Sequence, residues 1–137
     1  MNYNFNDNNF KQTEIYKSFI NSNPTKGTLS IRAYSANQAI PIEGLNIIIS
    51  TEYQNNTIKM YEGKTNNSGV IENISLPTPK LSNSNLTTPN TITYTVRAMQ
   101  TDKIDESYKI NMYENISVIQ TINIGPQTLK VGVTTWQ

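Results

Sequence analysis

From Gly27 onward the chain alternates apolar and polar residues with a period of two. In "GTLSIRAYS" Leu29, Ile31 and Ala33 share one face while Thr28, Ser30 and Arg32 take the other, as a half-buried strand requires. In "AIPIEGLNIIISTEY" Pro41 and Gly44 bound a bend, after which Leu45, Ile47 and Ile49 alternate onto one face and Ile48 points outward or into a second layer. A shorter strand centres on Ile58 and Met60 in "NTIKMYEG" and ends at Gly63. "TITYTVRAMQ" sets Ile92, Tyr94, Val96 and Ala98 against Thr93, Thr95 and Arg97. "IDESYKINMY" and "ISVIQTINI" add two more, the second with Ile116, Val118, Ile122 and Ile124 in phase and Gln120 as the exception.

Between these strands "TNNSGVIENISLPTPK" packs a turn, a strand and a proline stop. Asn66, Asn67, Ser68 and Gly69 are turn formers, and Gly69 can take the positive φ of a tight turn without a Cβ clash. Val70, Ile71, Ile74 and Leu76 supply the strand, and Pro77 with Pro79 is expected to end it by removing backbone donors. "KLSNSNLTTPN" reads as a surface loop. Seven short strands at this spacing predict an all-β fold, an antiparallel seven-stranded β-sandwich over residues 27–126. Residues 1–26 form a polar, Asn-rich arm in which Phe10, Ile15, Phe19 and Ile20 recur at about four to five residues, the face of a short helix. Residues 127–137 add a further strand in which Leu129, Val131 and Val133 alternate.

At 137 residues the chain makes one domain. Its net charge of +1 arises from 11 basic and 10 acidic residues with no like-charge block, which excludes capture of nucleic acid or anionic lipid by a clustered basic face. No apolar run reaches the ~18 residues of a membrane span, and the start has neither a basic region nor an apolar stretch, so synthesis in the cytoplasm without a signal peptide is expected. The chain has no cysteine and no histidine, which removes thiolate nucleophiles, cysteine-bound metals and the commonest general base and metal ligand. Glu43, and Asp102 with Asp105 and Glu106, are the candidates for a hard-cation site, but loop solvation accounts for them without a metal. Of eight tyrosines, Tyr53, Tyr61, Tyr94, Tyr108 and Tyr113 fall on strands, where packing explains them better than a stacking platform. With 20 Asn in the chain, the five Asn-x-Ser/Thr sites are chance matches. The expectation is a protein that is not an enzyme, with no catalytic residue, metal or cofactor.

The segments "GTLSIRAYSANQAIPIEGLNIII", "GKTNNSGVIENISLPTPKLSNS" and "INMYENISVIQTINIGP" resemble the carboxypeptidase-regulatory-like, prealbumin-type β-sandwich of clostridial spore proteins, a module also present in the precursor of a spore-cortex-lytic enzyme. The resemblance covers residues 27–126, and its most specific parts are "AIPIEG", the turn-strand-proline segment and "IQTINIGP". It implies a seven-stranded sandwich without activity of its own, in which Pro41, Gly44, Gly69 and Pro77 are scaffold residues. The chain departs from the family where a Gly-Tyr-Pro segment usually introduces the sixth strand: here stands "TDKIDESYKI", with Tyr108 alone in common. The catalytic domain of the lytic precursor does not follow within these residues, so a prodomain role in cis is not expected.

On this reading the expected function is a structural subunit of the spore envelope that self-assembles into a coat, exosporium or filamentous appendage. Its partners would be further copies of itself or other envelope proteins at the spore surface. Phe10, Ile15 and Phe19 of the arm and Leu129, Val131, Val133 and Trp136 of the last strand would form the assembly interface. The alternative is a monomeric binding module for peptidoglycan, another glycan or a cortex-lytic enzyme.

Overall fold

The computed structural model describes residues 1–35, 40–81, 90–101 and 104–124. Strand β1 (Asn2–Asn4) leads through a 3-10 turn (Phe10–Gln12) to helix α1 (Glu14–Ser22), and strands β2 (Thr25–Ser35), β3 (Ile40–Pro41), β4 (Asn46–Tyr53) and β5 (Asn56–Lys64) follow. Strands β6 (Val70–Thr78), β7 (Ile92–Gln100), β8 (Ile104–Met112) and β9 (Ser117–Ile124) complete the described chain. One sheet has the order β1-β5-β4-β7-β8, and the other is built on β2, which pairs with β3, β6 and β9.

The period-two pattern decides what lies between the sheets. Leu29, Ile31 and Ala33 of β2, Ile47 and Ile49 of β4, Ile58 of β5, Leu76 of β6 and Tyr94, Val96 and Ala98 of β7 are fully or almost fully buried, with Met112, Ile122 and Ile124 closing the same core. The chain is thus an all-β sandwich whose seven expected strands are all present. It is not wholly antiparallel: β1 runs parallel to β5, and β9 parallel to β2. Pro77 does not end its strand. β6 continues to Thr78, and among the described residues its only sheet partner is β2, so Pro77 sits at the edge of the described sheet, where a missing N–H breaks no ladder.

Residues 1–23 fold back on the sandwich. Thr13 caps α1, its hydroxyl oxygen accepting from the Tyr16 N–H at 3.2 Å and its hydroxyl donating to the Phe10 carbonyl at 2.7 Å. The buried Asn23 amide donates to the Phe19 carbonyl at 3.0 Å and closes the other end. Phe19 is completely buried, its ring edge-on to Tyr53 at 5.3 Å, and Phe10 is buried against Tyr3 at 4.7 Å. The hydroxyls of Ser18 and Tyr53, 2.5 Å apart, fix the helix to the end of β4.

Two polar contacts set the geometry of the sandwich. The Tyr94 hydroxyl, on β7 of one sheet, donates to the Pro77 carbonyl on β6 of the other at 2.6 Å, and burial pushes its phenol far above its usual range. The buried Thr65 hydroxyl donates to the Ile42 carbonyl at 2.6 Å and accepts from the Leu45 N–H at 3.0 Å, clasping the Pro41–Gly44 bend to the end of β5. Gly44 and Gly69 both have positive φ, +78° and +77°. A Cβ at Gly44 would meet nothing, whereas at Gly69 it would run into the Ala33 carbonyl and approach Pro41.

Replacing Tyr94 by Phe should lower unfolding stability by about 1–3 kcal/mol in denaturant titration, because it leaves the buried Pro77 carbonyl without this donor. Gly44→Ala should cost about 1–2 kcal/mol, the strain of a left-handed backbone alone. Gly69→Ala should cost more, since the collision with Ala33 is added. Equal losses for the two glycine variants would show that the tight approach at Gly69 carries no weight.

Candidate functional site

The residues that alternation turns away from the core make the outer face of the five-stranded sheet. Pairing sets them in rows: Lys64, Asn46, Met99 and Asp105 in one, and Glu62, Ile48, Arg97 and Ser107 in the next. Ile48 therefore lies on the outer face amid charge. Arg97 grips Asp105 of the neighbouring row with two bonds, Nε to Oδ1 at 3.0 Å and Nη2 to Oδ2 at 2.8 Å. This pair pulls the Asp105 carboxyl below its usual range, with the Arg97 hydrogen bond as the largest cause.

At the end of these rows nearest the Gly44 bend, a cleft of about 630 Å³ opens between the end of β5 and the β7–β8 hairpin. Asn46, Glu62, Lys64, Gln100, Thr101 and Asp105 bring polar groups to its wall, and Met99 and Ile104 add apolar surface. Glu62 is held by two different side chains. Its carboxylate accepts from Lys59 Nζ at 2.8 Å and from Asn46 Nδ2 at 3.2 Å. The hydrogen bond from Lys59 is the first cause, the one from Asn46 the second, and the charges of Lys59 and Lys64 add to them in holding this carboxyl below its ordinary value of 4.5. Lys64 takes part in none of the ion pairs found among the described residues, so its ammonium is free to meet a ligand. The wall can thus present two ionised carboxylates, an ammonium group and three amide or hydroxyl side chains to one small molecule.

The earlier candidates are dispersed. Phe10 and Phe19 lie in their own chain's core and Ile15 packs against it, while Leu129, Val131, Val133 and Trp136 lie outside the described residues. Pro41 and Gly44 form the bend beside the cleft, Gly69 the β5–β6 turn, and Pro77 the acceptor for Tyr94. Asp105 and Glu106 project from opposite faces of β8, Glu106 accepting from the Tyr108 hydroxyl at 2.6 Å; burial first and this bond second raise the Tyr108 phenol well above its usual range. Asp102 lies outside the described residues. Among the described residues no cluster of acidic side chains could hold a metal ion, and no helix is long and apolar enough to cross a membrane. The tyrosines form no common platform: Tyr94 is in the core, Tyr53 under α1 and Tyr108 at the β8 edge. Asn46, Glu62 and Lys64 were missed because each is one outward residue among many until pairing sets them side by side.

No protein-family model and no curated protein matches the chain. Among solved structures it is similar to the 5-hydroxyisourate hydrolase of Klebsiella pneumoniae, with a TM-score of 0.50 and 17% identity over 73% of this chain and 90% of that one. It is also similar to an (S)-allantoin synthase, with a TM-score of 0.47 and 12% identity over 77% of this chain and 42% of that one. The fold is therefore the prealbumin-type, transthyretin-like β-sandwich. The comparison corrects the functional expectation. The solved structure that the chain matches along most of its length is a hydrolase and not a spore-envelope subunit or binding module, and no match links the chain to a spore or to clostridia. Fold sets the frame, and the side chains of the site set the chemistry.

The Arg97–Asp105 pair is open to solvent, so its loss should change titration rather than folding. In Arg97→Met the Asp105 carboxyl should titrate at higher pH than in the parent, followed by carboxyl carbon NMR, with the unfolding midpoint little changed.

Proposed function

We propose that this protein is an enzyme that hydrolyses a small, polar, amide-type molecule in the cleft beside the Gly44 bend. The observation that carries the reading is an ionised Glu62 carboxylate beside the Lys64 ammonium on one wall of that cleft, with Lys64 in none of the ion pairs among the described residues. Hydrolysis of an amide needs a base to take a proton from water and a positive group where the carbonyl oxygen gains charge. With no histidine in the chain, a carboxylate is the side chain that stands deprotonated at neutral pH to act as that base. Glu62 accepts a proton from the attacking water, whose oxygen bonds to the carbonyl carbon. The oxyanion forms toward Lys64. The C–N bond then breaks as the nitrogen takes the proton from Glu62, leaving a carboxylic acid and an amine. Asn46, Gln100 and Thr101 supply hydrogen bonds to orient a molecule rich in N–H and C=O groups. The likeness to a 5-hydroxyisourate hydrolase supports a cyclic ureide as the first class to try.

Because the neighbours of Glu62 hold its carboxyl below 4.5, it stays deprotonated at neutral pH, and kcat/KM should fall only on acidification below that value. A histidine base would instead place the acid limb near ~6.5. Purified protein incubated with 5-hydroxyisourate and related cyclic ureides should consume at least one of them, followed by ring absorbance. Glu62→Gln should lower kcat/KM by about 10²–10⁴-fold with the fold intact by circular dichroism. No turnover of any ureide by the parent protein, or full activity in Glu62→Gln, would overturn the proposal.

A further inference from the structure

In a regular strand, residues three apart point to opposite faces. Lys59 and Glu62 are three apart on β5, yet their side chains meet at 2.8 Å on the same outer face. The cause lies in the pairing of β4 with β5. Ser50 stands opposite Lys59 and Ile49 opposite Tyr61, so Met60 is an extra residue, a β-bulge that advances the alternation by one. Both bulge side chains turn toward the core: Met60 is buried and Tyr61 packs against the buried cluster. With Lys59 outward and no extra residue, Glu62 and Lys64 would both face the core. The bulge therefore brings both groups onto the cleft wall.

The other edge of β5 is held as well. β1 sets Asn4 opposite Lys59, and the Phe5 N–H donates to the Lys59 carbonyl at 2.8 Å. Lys59 lines a second cavity of about 400 Å³ with Asn4, Asn6 and Tyr61, and it does not line the cleft. Glu62 alone of the two is shared by both cavities. The other charged groups facing Glu62 are Lys64 on its own strand and, across Ile48, Arg97 of β7, which is already engaged by Asp105 of β8. From β4 it meets the neutral Asn46, and the arm contributes the neutral Asn4 and Asn6.

We infer that Lys59 is a positioning residue: delivered to the outer face by the bulge at Met60, it holds the Glu62 carboxylate toward the cleft from behind without touching what binds there. This rests on the reading of Glu62 as the base, and the test separates the two. The Glu62 carboxyl is titrated by carboxyl carbon NMR in the full chain, in Lys59→Met and in Lys59→Arg, beside the pH dependence of kcat/KM on the cyclic ureide that the parent consumes. In Lys59→Met the Glu62 midpoint should move up and the acid limb of kcat/KM should move up with it, while Lys59→Arg should keep both near the parent values. An unmoved Glu62 midpoint in Lys59→Met sinks the role of Lys59 alone, even if Glu62→Gln abolishes turnover. A moved midpoint with an unmoved acid limb sinks it too. If the midpoint moves and the parent consumes no ureide, the hydrolase reading falls while the hold of Lys59 on Glu62 stands.

Discussion

The structure depends on one constraint: two sheets share a single apolar layer, so every strand must bury alternate residues and expose the rest. That layer is tied from sheet to sheet by the buried Tyr94 hydroxyl on the Pro77 carbonyl, near the end of β6 and the start of β7. The same tie accounts for a proline inside β6, because the carbonyl of Pro77 is used between the sheets while its missing N–H breaks no ladder among the described residues. The arm answers a related demand. Phe10 and Phe19 find their cover in the same core, so the apolar residues of an otherwise polar segment are spent inside the chain.

Once the inner positions are committed, the outer face is left for polar groups, and in the candidate site the five-stranded sheet positions them as a loop does in many proteins. Its rigid rows set Asn46 beside Lys64 and Glu62 diagonal to Asn46, with backbone pairing as the ruler. The bulge at Met60 is where the alternation slips, and the slip is what gives β5 two successive outward charged residues beside the cleft. A bulge next to a site that re-aims side chains is a recurrent device of β-proteins.

With no histidine in the chain, the proposed hydrolytic reading depends on a carboxylate in the cleft. A carboxylate held ionised by an ammonium and an amide is a weaker base than an imidazole but is available over a wider range of pH. Resemblance to a non-catalytic module captured the sandwich correctly and the role wrongly, because turns and buried residues such as Gly69 and Pro77 record how a chain folds and are silent on what its exposed face does.

What the sequence determined by itself was the set of seven long strands and most of their inward positions, since burial between sheets selects apolar residues at every second position and Leu29, Ile47, Tyr94 and Ile122 all obey it, while Ile116, expected in phase with Ile122, is exposed ahead of β9. β1 and β3 were invisible because "NYN" and "IP" are too short to show a period, and they exist only through pairing, β1 with β5 far along the chain and β3 with the end of β2 just before it. The adjacent Met60 and Tyr61 carried the trace of the bulge, an apolar doublet where alternation allows one residue. Tertiary structure alone decided the site. Glu62, Lys64, Asn46 and Asp105 come from three strands, and only hydrogen-bonded register, a property of pairs of strands and of no single one, brings them to one cleft.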